Sequence, residues 1–134
     1  MLEVGTGSGY QAAILSRLAA KVTSIERYRT LANAARIRLK ALSYDNVDII
    51  GGDGIAGAPD QAPFDRIIVT AAAESMPQAL VDQLAVSGIM ALPLGPHDGH
   101  QTLIKIVRTE HGVERTELID VRFVPLLPGQ AQEL

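Results

Sequence analysis

Apolar positions in this chain change period several times, and each change marks an element. Residues 1–4 form a short apolar run, residues 5–9 alternate glycine with small polar side chains, and residues 10–20 place Ile14, Leu15 and Leu18 at helical spacing. The order is strand, glycine loop, helix. A second short strand is predicted at residues 22–25. A helix follows over about residues 28–42, where Leu31, Ala35, Leu39 and Leu42 recur on one side, with Arg36 and Lys40 on the other. Residues 47–50 make a third strand. The unbroken Ile67, Ile68 and Val69 make a fourth, expected to be buried on both sheet faces. Residues 77–84 read as a short helix opened by Pro77, and residues 89–94 as a fifth strand entered from the turn residues Ser87 and Gly88.

Beyond that point the alternation of strand and helix stops. Residues 101–108 and 114–124 are two extended stretches joined by a turn at Gly112, and Ile119, Val121 and Phe123 alternate with Asp120 and Arg122 as in a half-buried strand. The pattern predicts an α/β fold. Its sheet is doubly wound and mostly parallel, and it finishes in a C-terminal antiparallel hairpin. Neither a repeat nor a linker interrupts residues 1–134, so one domain is expected.

Composition narrows the function classes. With 134 residues, 47% of them hydrophobic, the chain has the apolar content of a domain with its own core. A formal charge of −3 argues against general binding to nucleic acid, which depends on neutralising phosphates. Arg27, Arg29, Arg36, Arg38 and Lys40 are read as a solvated helix face. No cysteine is present, so disulfides, thiolate nucleophiles and zinc–thiolate sites are excluded. No apolar run is long enough to span a bilayer, which makes a cytoplasmic protein with no membrane partner the default expectation. His97, Asp98 and His100 sit among Gly and Pro as in a surface loop, and no metal site is expected.

The glycine loop carries the chemistry. A phosphate-cradling loop requires Gly-Lys-Ser/Thr, whereas Gly9 is followed by Tyr10 and Gln11. A dinucleotide fingerprint counted from Gly5 requires its third glycine at position 10, which is Tyr10; that reading is weakened but stays open. Glu3 precedes Gly5, Gly7 and Gly9. An acidic residue there suits a ligand bearing an ammonium and a sulfonium, such as S-adenosylmethionine. Glu26 ends the second strand, where its carboxylate would accept from ribose hydroxyls of either cofactor, and Asp53 with Gly54 follows the third strand where an adenine would sit.

The pieces "LEVGTGSGYQAAIL", "SIER", "GDG", "APFDRIIVTAAAESMP" and "VRFVPL", in this order, resemble the protein-L-isoaspartate O-methyltransferases, which repair aged proteins. The resemblance implies a Rossmann-like class I methyltransferase fold. It implies methyl transfer from S-adenosyl-L-methionine to the free α-carboxylate of isoaspartyl residues in damaged proteins and peptides. It assigns the cofactor to Glu3, Gly5, Thr6, Gly7, Gly9, Glu26, Arg27, Asp53, Gly54, Thr70 and Ala71, and the isoaspartyl group to Arg122, Val124, Pro125 and Leu126. A carboxylate is already ionised at neutral pH, so no catalytic base is expected. Family members carry a substantial region before the glycine loop that this sequence lacks. The expectation is therefore weakened cofactor binding and little repair activity by this chain alone. The rivals are an inactive S-adenosylmethionine-binding module and a methyltransferase of the same fold with another substrate.

Overall fold

The computed structural model describes residues 1–134. It contains β1 (Leu2–Val4), α1 (Tyr10–Ser16), β2 (Val22–Glu26), α2 (Arg29–Ala41), β3 (Val47–Gly51), a 3-10 turn (Pro59–Gln61), β4 (Phe64–Val69), α3 (Gln78–Asp82), β5 (Leu84–Leu94), β6 (Gln101–Thr109) and β7 (Gly112–Val121). All seven strands join one sheet in the order β3-β2-β1-β4-β5-β6-β7. The pairs among β1 to β5 are parallel, and β6 and β7 add as antiparallel neighbours. The doubly wound sheet with its closing hairpin therefore agrees with the periodicity.

The position of β1 organises the molecule. Leu2, Glu3 and Val4 pair with Thr23, Ser24 and Ile25 on one side and with Ile67, Ile68 and Val69 on the other. The strand order reverses at β1, and the crevice at the carboxyl ends of β1 and its neighbours is where such sheets bind ligands. Below it, Leu2, Val4, Ile67, Val69, Met90, Leu92, Ile104 and Ile106 form the main core with Leu80 and Val81 of α3. On the opposite face Ala12 of α1 packs with Ala32 and Leu39 of α2 and Ile49 of β3.

Several boundaries and faces depart from the sequence pattern. α1 ends at Ser16 rather than residue 20, because the Asn46 side-chain amide takes the carbonyls of Ser16, Ala19 and Ala20. Of Ile14, Leu15 and Leu18 only Leu15 is buried; Ile14 and Leu18 face solvent. α2 buries Ala32, Ala35 and Leu39, whereas Leu42 lies beyond its end and is exposed. α3 stops at Asp82, and Leu84 already belongs to β5, which passes Ser87 in a left-handed conformation (φ 67°) opposite a register irregularity in β4.

Ile68 is half-buried rather than buried. α1 and α2 pack over β2 and β3, so Ile68, Ile89, Ala91 and Val107 share a face that they leave partly open. β7 is exposed along almost its whole length, with Ile119 62% accessible, and it stops at Val121, before the residue 124 limit expected. The expectation of a half-buried last strand is therefore corrected: β7 is the sheet edge and no layer covers either face. No helix is long and apolar enough to cross a membrane.

Candidate functional site

At the carboxyl end of β1 the chain turns through Gly5 (φ 97°), Gly7 (φ 55°) and Gly9 (φ 87°), all in backbone regions that L side chains rarely adopt. Gly5 N donates to Ile25 O (2.8 Å), Gly7 N to Glu26 Oε2 (2.9 Å) and Gly9 N to Thr6 O (3.0 Å). The three alternating glycines thus hold one defined loop between β1 and α1. Glu26, at the end of β2 and 6% exposed, also accepts from Tyr28 N through Oε1 at 3.0 Å. Each of its oxygens retains a further lone pair for a ligand.

A cavity of about 240 Å³ opens above these groups. Its wall is built from Val4, Gly5 and Gly7; from Ile25, Glu26, Arg27 and Tyr28; from Leu31 on α2 and Gly54 after β3; and from Thr70 and Ala71 after β4. Val124, Pro125, Leu126, Leu127 and Leu134 close the remaining side. Thr70 shares its hydroxyl proton between Val4 O and Gly5 O, each 3.0 Å away, which ties β4 to the glycine loop. Gly54 leaves no room for a side chain, since a Cβ there would stand 2.4 Å from Val4 Cγ1.

The segment after β7 reaches the cavity by parallel pairing with the residues after β4. Ala72 N donates to Val124 O (2.7 Å) and Leu126 N to Ala72 O (2.8 Å). Gln101, 1% exposed, fixes the approach: its Oε1 accepts from Phe123 N (2.7 Å), and its Nε2 donates to Pro96 O (3.1 Å). A lone glutamine at the start of a strand carried no sequence signal for that role.

Gly5, Gly7, Glu26, Arg27, Gly54, Thr70, Ala71, Val124, Pro125 and Leu126 are therefore brought to one cavity. Five expected residues are not part of its wall. Gly9 caps α1 at φ 87°, and a Cβ there would make only ordinary contacts with Ala35 and Leu39 at 3.4 Å, so its left-handed backbone rather than lack of room calls for glycine. Asp53 spends one oxygen on Ile55 N (2.9 Å) in a local turn. Arg122 is exposed and takes no part in the wall. Thr6 and Glu3 belong to a buried chain of hydrogen bonds beneath the loop. Val4, Ile25, Tyr28, Leu31, Leu127 and Leu134 line the wall without having been expected there; Leu31 sits in the first turn of α2, just beyond the end of β2.

In that buried chain Ser24 Oγ donates to Glu3 Oε1 (2.5 Å), so the Thr6 hydroxyl must donate to Ser24 (2.6 Å), and Gln11 Nε2 donates to Glu3 Oε2 (3.0 Å). Burial pushes the Glu3 carboxyl above its ordinary pKa of 4.5; the bonds from Ser24 and Gln11 oppose the rise, and the charge of Glu26 adds to it. Glu3 then holds more protons folded than unfolded just above 4.5, and stability falls as pH rises from there through the folded value. Glu3→Gln is expected to remove this decline and to be at least as stable as the parent at about pH 8. The Gln11 amide would turn over to accept from the new side chain. Urea unfolding at about pH 4 to 8 tests this, and an undiminished decline in the variant would refute it.

The comparisons with known proteins agree with this arrangement. The model of the protein-L-isoaspartate(D-aspartate) O-methyltransferase (PCMT) family matches residues 1–131. A protein-L-isoaspartate O-methyltransferase of Rhodopseudomonas palustris (strain BisB18) is 56% identical over 134 residues, all of this chain and 62% of that protein. One from Parvibaculum lavamentivorans is 58% identical over 135 residues, 99% of this chain and 61% of that protein. This chain therefore spans about 62% of the length of the curated relatives it matches. Among solved structures, a protein-L-isoaspartate O-methyltransferase superposes with a TM-score of 0.86 at 28% identity, covering 92% of this chain and 40% of the other. A putative protein-L-isoaspartate O-methyltransferase from Plasmodium falciparum, solved with S-adenosyl-L-homocysteine, gives 0.78 at 31% identity, covering 94% and 64%. The seven-stranded sheet is thus a class I methyltransferase fold. With a family match running from β1 past the segment that closes the cavity, this chain belongs to the protein-L-isoaspartate O-methyltransferase family.

Proposed function

We propose that residues 1–134 form one S-adenosylmethionine-dependent methyltransferase domain acting on the free carboxylate of isoaspartyl residues in damaged proteins. The observation that carries this reading is the meeting of two sets of residues at one cavity. Gly5, Gly7, Glu26, Arg27, Gly54, Thr70 and Ala71 line it together with Val124, Pro125 and Leu126. The first set carries the family's cofactor motifs and the second its substrate segment.

The residues fit the cofactor. Glu26 offers acceptors to a ribose diol, and Arg27 Nε is a buried donor without a partner in the protein. Ile25, Leu31, Leu126 and Leu127 supply apolar walls, and no atom lies within 4 Å of the position a Gly7 Cβ would take. The chemistry supplied by bound S-adenosylmethionine is an electrophilic methyl group carried on a sulfonium. The protein's part is to hold the incoming carboxylate in line, beside the segment of residues 124–126, and to exclude water from it. Since the nucleophile is already ionised, no side chain has to remove a proton, and no residue of the cavity is assigned as a base.

The test is calorimetric titration of the 134-residue chain with S-adenosylhomocysteine, followed by methyl transfer to an isoaspartyl peptide and its aspartyl counterpart. Binding is expected, with weak transfer confined to the isoaspartyl peptide. Binding without transfer would reject the activity for this chain and leave a cofactor-binding module. Binding of NAD in place of S-adenosylhomocysteine would reject the cofactor assignment.

A further inference from the structure

After Leu126 the chain continues across the carboxyl edge of the sheet as a strap, from the end of β4 to the end of β2. At its far end the backbone pairs again: Ala131 N donates to Arg27 O (3.0 Å), Arg29 N to Ala131 O (3.0 Å) and Thr30 N to Gln132 O (3.2 Å). Between these anchors Leu127 lines the cavity, and Leu134 lines it beyond them. The strap therefore forms part of the wall that would enclose a ligand.

Arg27 fastens it. Its carbonyl receives Ala131, and its guanidinium Nη1 donates to Pro128 O, while the plane of the group lies over the Tyr28 ring at 5.2 Å. The same guanidinium carries an unmet demand: Nε is buried and lacks a hydrogen-bond partner, the one buried side-chain nitrogen or oxygen in that condition. A buried donor left unpaired is unfavourable until an acceptor arrives. Arg27 lines the cavity one residue beyond the carboxylate placed for a ribose.

We propose that Arg27 is a latch coupling ligand to strap: Nη1 holds Pro128 while Nε takes an acceptor of the ligand's nucleoside part, so that bound nucleoside and closed strap stabilise each other. The planar fork of arginine suits this double duty, with donors fixed in two directions at once. Lysine carries its three donors on one terminal nitrogen, which cannot stand at the Nη1 and Nε positions at once. The coupling is reciprocal, because a ligand that stabilises the closed strap is itself held more tightly by it. The inference rests on the S-adenosylmethionine reading of the cavity.

Amide hydrogen exchange at Arg29, Thr30 and Ala131, with and without saturating S-adenosylhomocysteine, reads the strap directly and needs no turnover. Binding is expected to slow exchange at these amides about tenfold or more, the scale of one added charge-assisted hydrogen bond. In Arg27→Lys the affinity is expected to fall about tenfold and the ligand-linked protection to disappear. A variant ending at Pro128, which loses the anchoring residues, is expected to release S-adenosylhomocysteine about tenfold faster and to lose the ligand-linked protection at Arg29 and Thr30. Unchanged exchange in a wild-type chain that binds the ligand overturns the latch alone. Failure of the folded wild-type chain to bind S-adenosylhomocysteine overturns the cofactor reading and the latch with it.

Discussion

Gly5→Ala is expected to lose S-adenosylhomocysteine binding by any calorimetric measure and to be less stable by about 2–3 kcal/mol. Two effects add. The backbone at Gly5 has φ 97°, where a side chain costs roughly 1–2 kcal/mol against the neighbouring carbonyl. The added Cβ would also stand 2.3 Å from Thr70 Oγ1, so Thr70 must turn away from Val4 O and Gly5 O, with a loss of about 1 kcal/mol. Gly7→Ala separates the two effects, because nothing lies within 4 Å of its Cβ position and only the backbone penalty remains, about 1 kcal/mol. Denaturant unfolding of both variants measures this. A Gly5→Ala protein no less stable than Gly7→Ala would show that the Thr70 contact does not restrain the loop.

Glu26→Ala is expected to weaken S-adenosylhomocysteine binding by about a hundredfold or more. Two hydrogen bonds from a ribose to a carboxylate, at roughly 1.5 kcal/mol or more each, exceed the 2.7 kcal/mol that a hundredfold represents. The same change destabilises the ligand-free protein. Gly7 N and Tyr28 N both donate to Glu26 in part-buried positions, and losing their acceptor costs about 1–3 kcal/mol apiece, less where water reaches them. Glu26→Gln keeps one acceptor oxygen and removes the charge, so it should fall between wild type and alanine in both respects. Calorimetry beside urea unfolding gives the two orderings. A glutamine variant that binds as tightly as wild type would remove Glu26 from the ribose contact while leaving its hold on the loop intact.

The parts of the site that rest on local spacing were legible in the sequence. The strand, glycine loop and helix follow from residues within a dozen positions of one another, and Glu26 follows from the end of an adjacent strand. What depended on distant partners was not legible. Nothing near Ser16 announces that Asn46 will finish its helix, and nothing near Phe123 announces Gln101. Ser87 and Gly88 are turn residues by type, yet they sit inside β5, because the strand accommodates an irregularity opposite β4. The alternation in β7 identifies two faces but cannot tell whether another layer covers one of them.

Glu3 lies outside the cavity wall, and strand geometry explains why. Neighbours in a strand point to opposite faces, so with Val4 in the cavity wall Glu3 is directed away, toward Ser24 and Gln11. Three of the basic residues read as a solvated face have partners too: Arg36 donates to Ile49 O, Arg38 to Ser8 O and Arg27 to Pro128 O.

The three glycine amides of the loop are all engaged by the protein itself: Gly5 by Ile25, Gly7 by Glu26 and Gly9 by Thr6. Glycine is the residue with the most conformational freedom to lose, and here that loss occurs when the chain folds. A ligand entering the cavity meets a loop whose shape is already set, so the entropy of ordering it no longer counts against association. The stability of the fold and the affinity of the site therefore draw on the same few hydrogen bonds.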